Sequence, residues 1–450
     1  MAEWLSRAEA RQLAERTLGF SKSDGCQVTI SSGVNGNTRY ARNEVTTAGD
    51  TVNAGVTVTS RFGKRAASVS TNLLDDAGLR RAVEASERLA RLAPENPELM
   101  PLLPAHVYTA VPAFSGATAD LDAARRAAAV QAVTGAADRA GLVAAGLVHR
   151  VAGAGAVANS AGLFAYHAST TAVHTLTVRT ADGKGSGWAG TAHNDWGRAT
   201  GAAALAERAV RKAQGTREPA TLEPGKYTVV LEPTAAGNLL GLLAFALNAR
   251  AADEGRSFFS KRGGGNRIGE TVVDPRVTLA SDPQDPDLLT SPYTGEGLPV
   301  ARTVWIENGI LKHLAYDRFW AEKQGVAPTP FAGGFRVMGG TATLDELVAG
   351  VDRGLLVTRF WYIRPVDQRT LLYTGITRDG VFLIERGKVT GAVRNFRFNE
   401  SPVVMLNNLV ALGRPERISA SESGDVGGAA VVVPPLVVRD FSFTSVSEAV

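Results

Sequence analysis

The chain has 450 residues, 44% hydrophobic and 20% charged, an ordinary globular balance that argues against disorder. Its formal net charge is +4, with both signs mixed along the chain and no Lys/Arg block of the kind that tracks phosphates, so direct nucleic-acid binding is not expected. The single cysteine, Cys26, excludes an intramolecular disulfide and a multi-cysteine metal site.

The length suggests two or three domains, and composition breaks divide the chain at residues 1–100, 101–222 and 223–450. The amino terminus lacks the continuous apolar stretch of a secretory signal. The apolar run around Leu242–Leu247 is about half of the ~20 residues that a membrane-spanning helix needs. The apolar tail AAVVVPPLVV is broken by Pro434 and Pro435. The expectation is a soluble cytoplasmic protein that does not engage a membrane.

Ser6 and Glu9 form an S-x-x-E capping box that predicts a helix to about Leu18. Strand-like segments follow in CQVTISS, NEVTTAG and VNAGVTVTSRFGKRAASVS, and Cys26 reads as a small buried hydrophobe of the first. DDAGLRRAVEASERLARLA predicts a helix with Asp75 and Asp76 at its positive end and Leu79, Val83, Leu89 and Leu92 as its apolar stripe. Pro94–Pro104 reads as a linker.

The second part begins with an alanine-rich helix, about Leu121–Ala140. Strands follow near Val143–Val151, Gly155–Ser160, Leu163–His167 and Ala172–Thr180, then a helix at about Arg198–Gln214. The two parts share wording at a fixed spacing: Val56 and Leu176, Gly63 and Gly183, Lys64 and Lys184, Glu87 and Glu207 are each 120 positions apart. A duplicated strand–strand–helix unit and chance identity both account for this. The third part is strand-rich, with hairpin turns at Asn308-Gly309 and Arg386-Gly387. The fold class is therefore α+β: amino-terminal α/β regions, then a carboxy-terminal domain with a large antiparallel or mixed sheet.

Chemistry is sparse. GSGWAG (Gly185–Gly190) fits G-x-G-x-x-G, but no helix follows at once, and a glycine-rich strand is the preferred reading. KRGGGNRIG (Lys261–Gly269) reads as a mobile surface loop rather than an anion cradle. The chain has six histidines and none forms H-x-x-x-H. His167 and His174 fall on opposite faces if one strand spans both. His193 in AHNDW, with Asp195, is the one histidine that could act as a general base; a hydrogen-bonded loop histidine is the competing reading. The segment GNLLGLLAFALNARAADEG (Gly237–Gly255) reads as a buried helix without chemistry.

Several long segments resemble the TldD/TldE (PmbA) metallopeptidase family: GEGLPVARTVWIENGILKHLAYD, VTRFWYIRPVDQRTLLYTGITRDGVFLIERGKV and NFRFNESPVVMLNNL, with SRFGKRAASVSTN and ANSAGLFAYHASTTAVHTLTVRTADGKGSGWAG nearer the amino terminus. In that family's TldD branch, H-E-x-x-x-H on a helix supplies two zinc ligands and a general-base glutamate, and a later cysteine completes the site. The corresponding positions here are Gly241, Leu242, Ala246 and, for the cysteine, near Val357. None can bind zinc or take a proton from water. The resemblance, closest to the TldE branch in VTRFWYIR, implies a subunit that is inactive alone and binds no cofactor. Its zinc would lie in a TldD-type partner subunit, and the complex would cut unfolded or ribosomally made peptides, leader peptides included. The family's older label, modulator of DNA gyrase, is implied to be indirect. Arg359, Trp361, Tyr362 and Arg364 are candidates for partner or peptide contact; packing of alternate members in the core is the other reading. An independently active hydrolase and a stand-alone peptide-binding protein are the rival functions.

Overall fold

The computed structural model describes residues 4–331, 333–418 and 430–448. The first part runs α1 (Arg7–Leu18), β1 (Gly25–Ala41), β2 (Glu44–Phe62), β3 (Arg65–Thr71) and α2 (Asp76–Leu92). The second runs α3 (Gly116–Ala119), α4 (Ala123–Arg139), β4 (Leu142–Asn159), β5 (Phe164–Thr180), β6 (Ser186–His193) and α5 (Ala202–Gly215). All six strands share one antiparallel sheet in the order β3-β2-β1-β4-β5-β6. Segments that read separately in the sequence merge into strands of 17 to 19 residues. The capping box of α1 is formed, and Asp75 caps α2. The stripe of α2 differs from expectation. Leu79, Ala82, Val83, Ser86 and Ala90 are buried, whereas Leu89 and Leu92 are exposed because their helical phase turns them from the sheet.

The repeat is visible at the centre of the sheet. Gly33 of β1 pairs with Gly153 of β4, 120 positions on. A Cβ on Gly33 would lie 2.5 Å from the Ala152 carbonyl oxygen, and one on Gly153 would lie 2.4 Å from that of Ser32. The two halves thus meet about a pseudo-two-fold axis at this glycine pair. Further out the register slips. Gly33 pairs with Asn53 of β2 and Gly153 with Ser169 of β5, 116 positions apart. By pairing, Val56 therefore corresponds to Ala172, and Leu176, the residue 120 positions on, lies four residues away on the same face.

The carboxy-terminal half contains β7 (Gly225–Leu231), α6 (Pro233–Phe245), α7 (Ala249–Asp253), β8 (Leu279–Ser281), β9 (Thr303–Glu307), β10 (Ile310–Leu311), α8 (Arg318–Gln324), β11 (Gly334–Val337) and α9 (Leu344–Ala349). It continues through β12 (Arg353–Asp367), β13 (Leu372–Glu385), β14 (Lys388–Val393), β15 (Phe396–Glu400), α10 (Pro402–Asn407), β16 (Leu409–Leu412), β17 (Glu416–Ile418), β18 (Ala430–Val433) and β19 (Leu436–Val446). Strands pair in the order β12-β7-β19-β15-β13, and β13 pairs back onto β12, which closes a ring. Phe360 of β12 lies 4.6 Å from Phe398 of β15 and 5.5 Å from Phe441 of β19, ring centre to ring centre. These strands are not neighbours of β12, so the contacts cross a filled interior. The second sheet runs β10-β9-β8-β11-β18-β17. Both predicted hairpin turns are present, with Asn308, Gly309, Arg386 and Gly387 all at positive φ. Among the described residues, no helix is long and apolar enough to cross a membrane.

The glycine pair gives a direct test. Gly33→Ala should lower the unfolding free energy by about 2 kcal/mol, because a Cβ there meets backbone that cannot yield. Gly55→Ala, whose Cβ would find its nearest neighbour at 3.5 Å, should change it little. Denaturant unfolding of both variants checks the contrast.

Candidate functional site

Helix α6 carries the positions that the resemblance assigns to zinc chemistry. Glu232 precedes it, Pro233 occupies its first turn, and the Glu232 N–H donates to the Val357 carbonyl at 3.0 Å. Lys212 Nζ donates to Glu232 Oε2 at 2.7 Å, and Thr358 donates to Oε1 at 3.4 Å. One turn on, Asn238 accepts the Phe360 N–H at 3.2 Å. The helix is therefore tied to β12 along its first half. Its buried side, Ala236, Leu239, Leu240 and Leu243, lies in the main core. Gly237 lets it approach β17, since a Cβ there would sit 2.2 Å from Ile418 Cδ1.

The reading of Gly237–Gly255 as one buried helix is corrected in two ways. The helix ends at Phe245, because Asn248 forms a bridge with Ala315 and caps α7 through the Ala251 N–H. Its outer face is also open: Phe245 is 74% exposed, Leu242 is half-buried, and a Cβ on Gly241 would meet nothing within 4 Å. Ala246 stands at the helix end, and Val357 is buried between Leu231 of β7 and Val381 of β13. None of these side chains carries a nitrogen, oxygen or sulfur atom, so they do not fit a zinc ion. Among the described residues, no group of three or more His, Cys, Asp and Glu side chains is placed to hold a metal.

The VTRFWYIR segment divides between inside and outside. Arg359 is buried and donates through Nε to Asp379 Oδ2 at 2.7 Å. Its guanidinium lies 4.9 Å from the ring centres of both Trp188 and Trp361. Asp379, fully buried at φ +56°, also accepts from Ser186 of β6, so this cluster joins the amino-terminal sheet to the barrel. Tyr362 is 59% exposed at φ +55°, and the Arg364 guanidinium stacks 4.2 Å from its ring centre. Arg359 is thus committed to an internal ion pair, Trp361 is half-buried against it, and Tyr362 and Arg364 are exposed. The Arg359–Asp379 pair was invisible in the sequence, where nothing ties two charges 20 positions apart.

The other candidates resolve as structural parts. His193 is buried, and its Nδ1 accepts the Asp195 N–H at 2.9 Å. Its proton in the neutral form therefore sits on Nε2, and the one lone pair that could take another, on Nδ1, is engaged by that N–H. Asp195 turns its carboxylate to the Gly197 N–H instead. Burial, reinforced by Arg417 and Arg198, pushes His193 down to about 4. His167 and His174 do share one strand, β5, and fall on opposite faces; His174 is buried beside the Tyr40 hydroxyl at 3.1 Å. GSGWAG forms most of β6, where Gly187 admits α5: a Cβ would sit 2.2 Å from the Ala209 carbonyl oxygen. In KRGGGNRIG, Lys261 and Arg267 both pair with Glu270. Cys26 is buried on β1, as expected of a small hydrophobe.

The comparisons with known proteins agree with this architecture. The family description PmbA/TldA metallopeptidase C-terminal domain matches residues 224–445, and that of PmbA/TldA metallopeptidase domain 1 matches residues 26–90. A protein named metalloprotease from Methanothermobacter thermautotrophicus is 24% identical over 249 residues, 51% of this chain and 50% of that protein. Another of that name from Archaeoglobus fulgidus is 26% identical over 144 residues, 32% of this chain and 30% of that protein. The matched stretch thus spans half or less of these relatives. The crystal structure of TldE from Thermococcus kodakarensis superposes with a TM-score of 0.83 at 18% identity, covering 97% of this chain and 99% of that one. A protein from Bacteroides thetaiotaomicron described as a modulator of DNA gyrase superposes with a TM-score of 0.81 at 20% identity, with the same coverage. The fold and the helix that heads its carboxy-terminal half define a metallopeptidase scaffold. The chain belongs to the TldD/TldE (PmbA) family.

Two tests follow from these geometries. Asp379→Asn should cost about 3 kcal/mol, because it leaves a buried guanidinium without a countercharge; loss of unfolding free energy with altered tryptophan emission from Trp188 and Trp361 would record it. Burial holds both His174 and His193 near 4, below their ordinary 6.5, so both are neutral when folded near pH 6. The unfolded chain binds the extra protons, so stability is lost as pH falls from about 6.5 toward 4. Each histidine should contribute a slope approaching about 1.4 kcal/mol per pH unit. His174→Gln should lower the slope measured between pH 6.5 and 5 by up to about 1.4 kcal/mol per pH unit, while His193, His149 and His167, which burial also holds below the ordinary value, keep the remainder.

Proposed function

We propose that this chain is the non-catalytic, TldE-type subunit of a two-component zinc metalloprotease, with zinc and general base supplied by a TldD-type partner. The observation that carries this reading is the pairing of an intact scaffold with Gly241, Leu242, Ala246 and Val357 where ligand and base atoms are needed. Substrates in this reading are extended, unfolded or ribosomally made peptides, leader peptides among them, and the complex acts in the cytoplasm. The relatives named metalloprotease support the activity of the assembly. The tautomer of His193 speaks against an independent hydrolase built on that residue.

In this arrangement the subunit completes the walls around the partner's site and restricts entry to unfolded chains. The exposure of Tyr362 and Arg364 supports a contact with partner or peptide through them, with half-buried Trp361 beside them, since Arg359 is committed to Asp379.

The test combines the purified chain with a TldD-type protein and follows cleavage of an unfolded peptide. Cleavage should occur in the mixture, fall at least tenfold with the partner alone, vanish with a chelator, and be absent for this chain alone. Chelator-sensitive cleavage by this chain alone would overturn the reading.

A further inference from the structure

The amino-terminal sheet has a long edge that no strand covers among the described residues. β3 pairs with β2 only from Phe62 to Val56, opposite Thr71. The two-residue loop at Gly63-Lys64 makes Phe62 and Arg65 a bonded pair, so the even-numbered residues of β2 direct their N–H and C=O groups toward β3. Beyond Val56 that alternation leaves Ala54, Val52, Asp50 and Ala48 directing theirs outward. Among the described residues, no strand pairs there and no backbone group bonds these positions.

The edge lacks some of the features by which exposed strands repel pairing, and its one register shift falls near the Glu44 end, opposite Arg39 and Tyr40. Glu44–Gly55 contains no proline, lysine or arginine. Its central charge, Asp50, is drawn onto the helix-covered face by Arg126 at 2.7 Å and Arg150 at 3.6 Å, both buried. Val52, 61% exposed, adds β-propensity without burial.

The other half of the pseudo-symmetric sheet indicates what fits. β6 pairs with β5 only from Ala172 to Arg179, so β5 has the corresponding uncovered stretch, Phe164–Thr171. There, at Thr170, a backbone segment of the chain itself docks on the edge. The Thr170 N–H donates to the Ala113 carbonyl at 3.0 Å, the Ser115 N–H donates to the Thr170 hydroxyl at 2.9 Å, and Asn194 donates to the Thr170 carbonyl at 2.9 Å. By pairing, Thr170 corresponds to Ala54. The fold thus accommodates polypeptide at one of two equivalent edges and leaves the other open.

We propose that the outer edge of β2, Glu44–Gly55, is a strand-addition site that takes an extended, unfolded polypeptide through its backbone. The occupant's identity rests on the reading of the chain as part of a peptide-cutting complex; the edge itself does not. Recognition there is by main-chain hydrogen bonds, so it tolerates diverse side chains, and the exposed Glu44 adds a mild preference for basic over acidic peptides.

The test uses the full chain without a partner and a dye-labelled, unstructured twelve-residue peptide of Ser, Thr and Val, followed by fluorescence anisotropy. Val52→Pro removes an outward N–H and spares the pairing with β1, where proline is tolerated in an edge strand. It should weaken binding at least tenfold, as should Ala48→Pro. Val52→Thr keeps the donor and should bind as the parent does. Thermal unfolding of each variant identifies any that fails to fold. Unchanged binding by both proline variants would overturn the proposal, as would absence of binding by the parent. A parent that sediments as a dimer, made monomeric by Val52→Pro with peptide binding unaffected, would assign the edge to a second copy and overturn it too. Cleavage in the mixture with a TldD-type partner is read separately, so the subunit reading can survive the loss of this site.

Discussion

A carboxylate without access to water holds the two halves of this molecule in register. Asp379 sits on the barrel strand β13, yet it accepts from Ser186 on the amino-terminal sheet and from Arg359 on β12. The indoles of Trp188 and Trp361, one from each half, flank that guanidinium. A charge pair in such a place adds little net stability over an apolar contact, but losing either member strands the other. Its consequence is geometric. It fixes β6 and α5 against the barrel, and α5 in turn carries Lys212, whose ion pair with Glu232 sets the start of α6.

Helix α6 is thus held with the care usually given to a catalytic element, while its outward positions have no chemistry. Glu232, Asn238 and Gly237 each fix its approach to β12 or β17. Those contacts serve the placement of the helix and are independent of the identity of Gly241, Leu242 and Ala246. A scaffold can keep its anchoring when its reactive groups are replaced, since packing of the buried face and chemistry of the open face involve different residues. The open face, with Phe245 exposed, is neither refilled core nor a polar site.

The duplicated sheet shows how one architecture is used twice with different ends. The centre is symmetric because backbone meets backbone at Gly33 and Gly153 and neither can carry a side chain. The periphery is not, because the paired arms of the β1–β2 hairpin run further past the glycine than those of the β4–β5 hairpin, which shifts the outer strands by four residues. The connecting chain around Ala113 docks on one edge at Thr170, and among the described residues the other runs open along β2. Buried Arg126, set over Gly36, keeps Asp50 of that open strand turned inward; a Cβ on Gly36 would lie 2.5 Å from its guanidinium.

Local signals in the sequence were sufficient for the helix starts at Ser6 and Asp75, the glycine turns at residues 309 and 387 and the alternation of β2. Each depends on residues a few positions apart or on residue type alone. The sequence misjudged Leu89, Leu92 and Phe245, because apolar character does not say which face another element covers. It was silent on ring closure by β12 and β13, on the Arg359–Asp379 joint and on the tautomer of His193, which depend on partners brought together by distant segments. By itself, then, the sequence determined which elements form and where their local caps and turns lie. The tertiary structure alone decided which charges are buried together, which strand edges are covered and which face of α6 is open, because burial and backbone pairing are properties of neighbours in space.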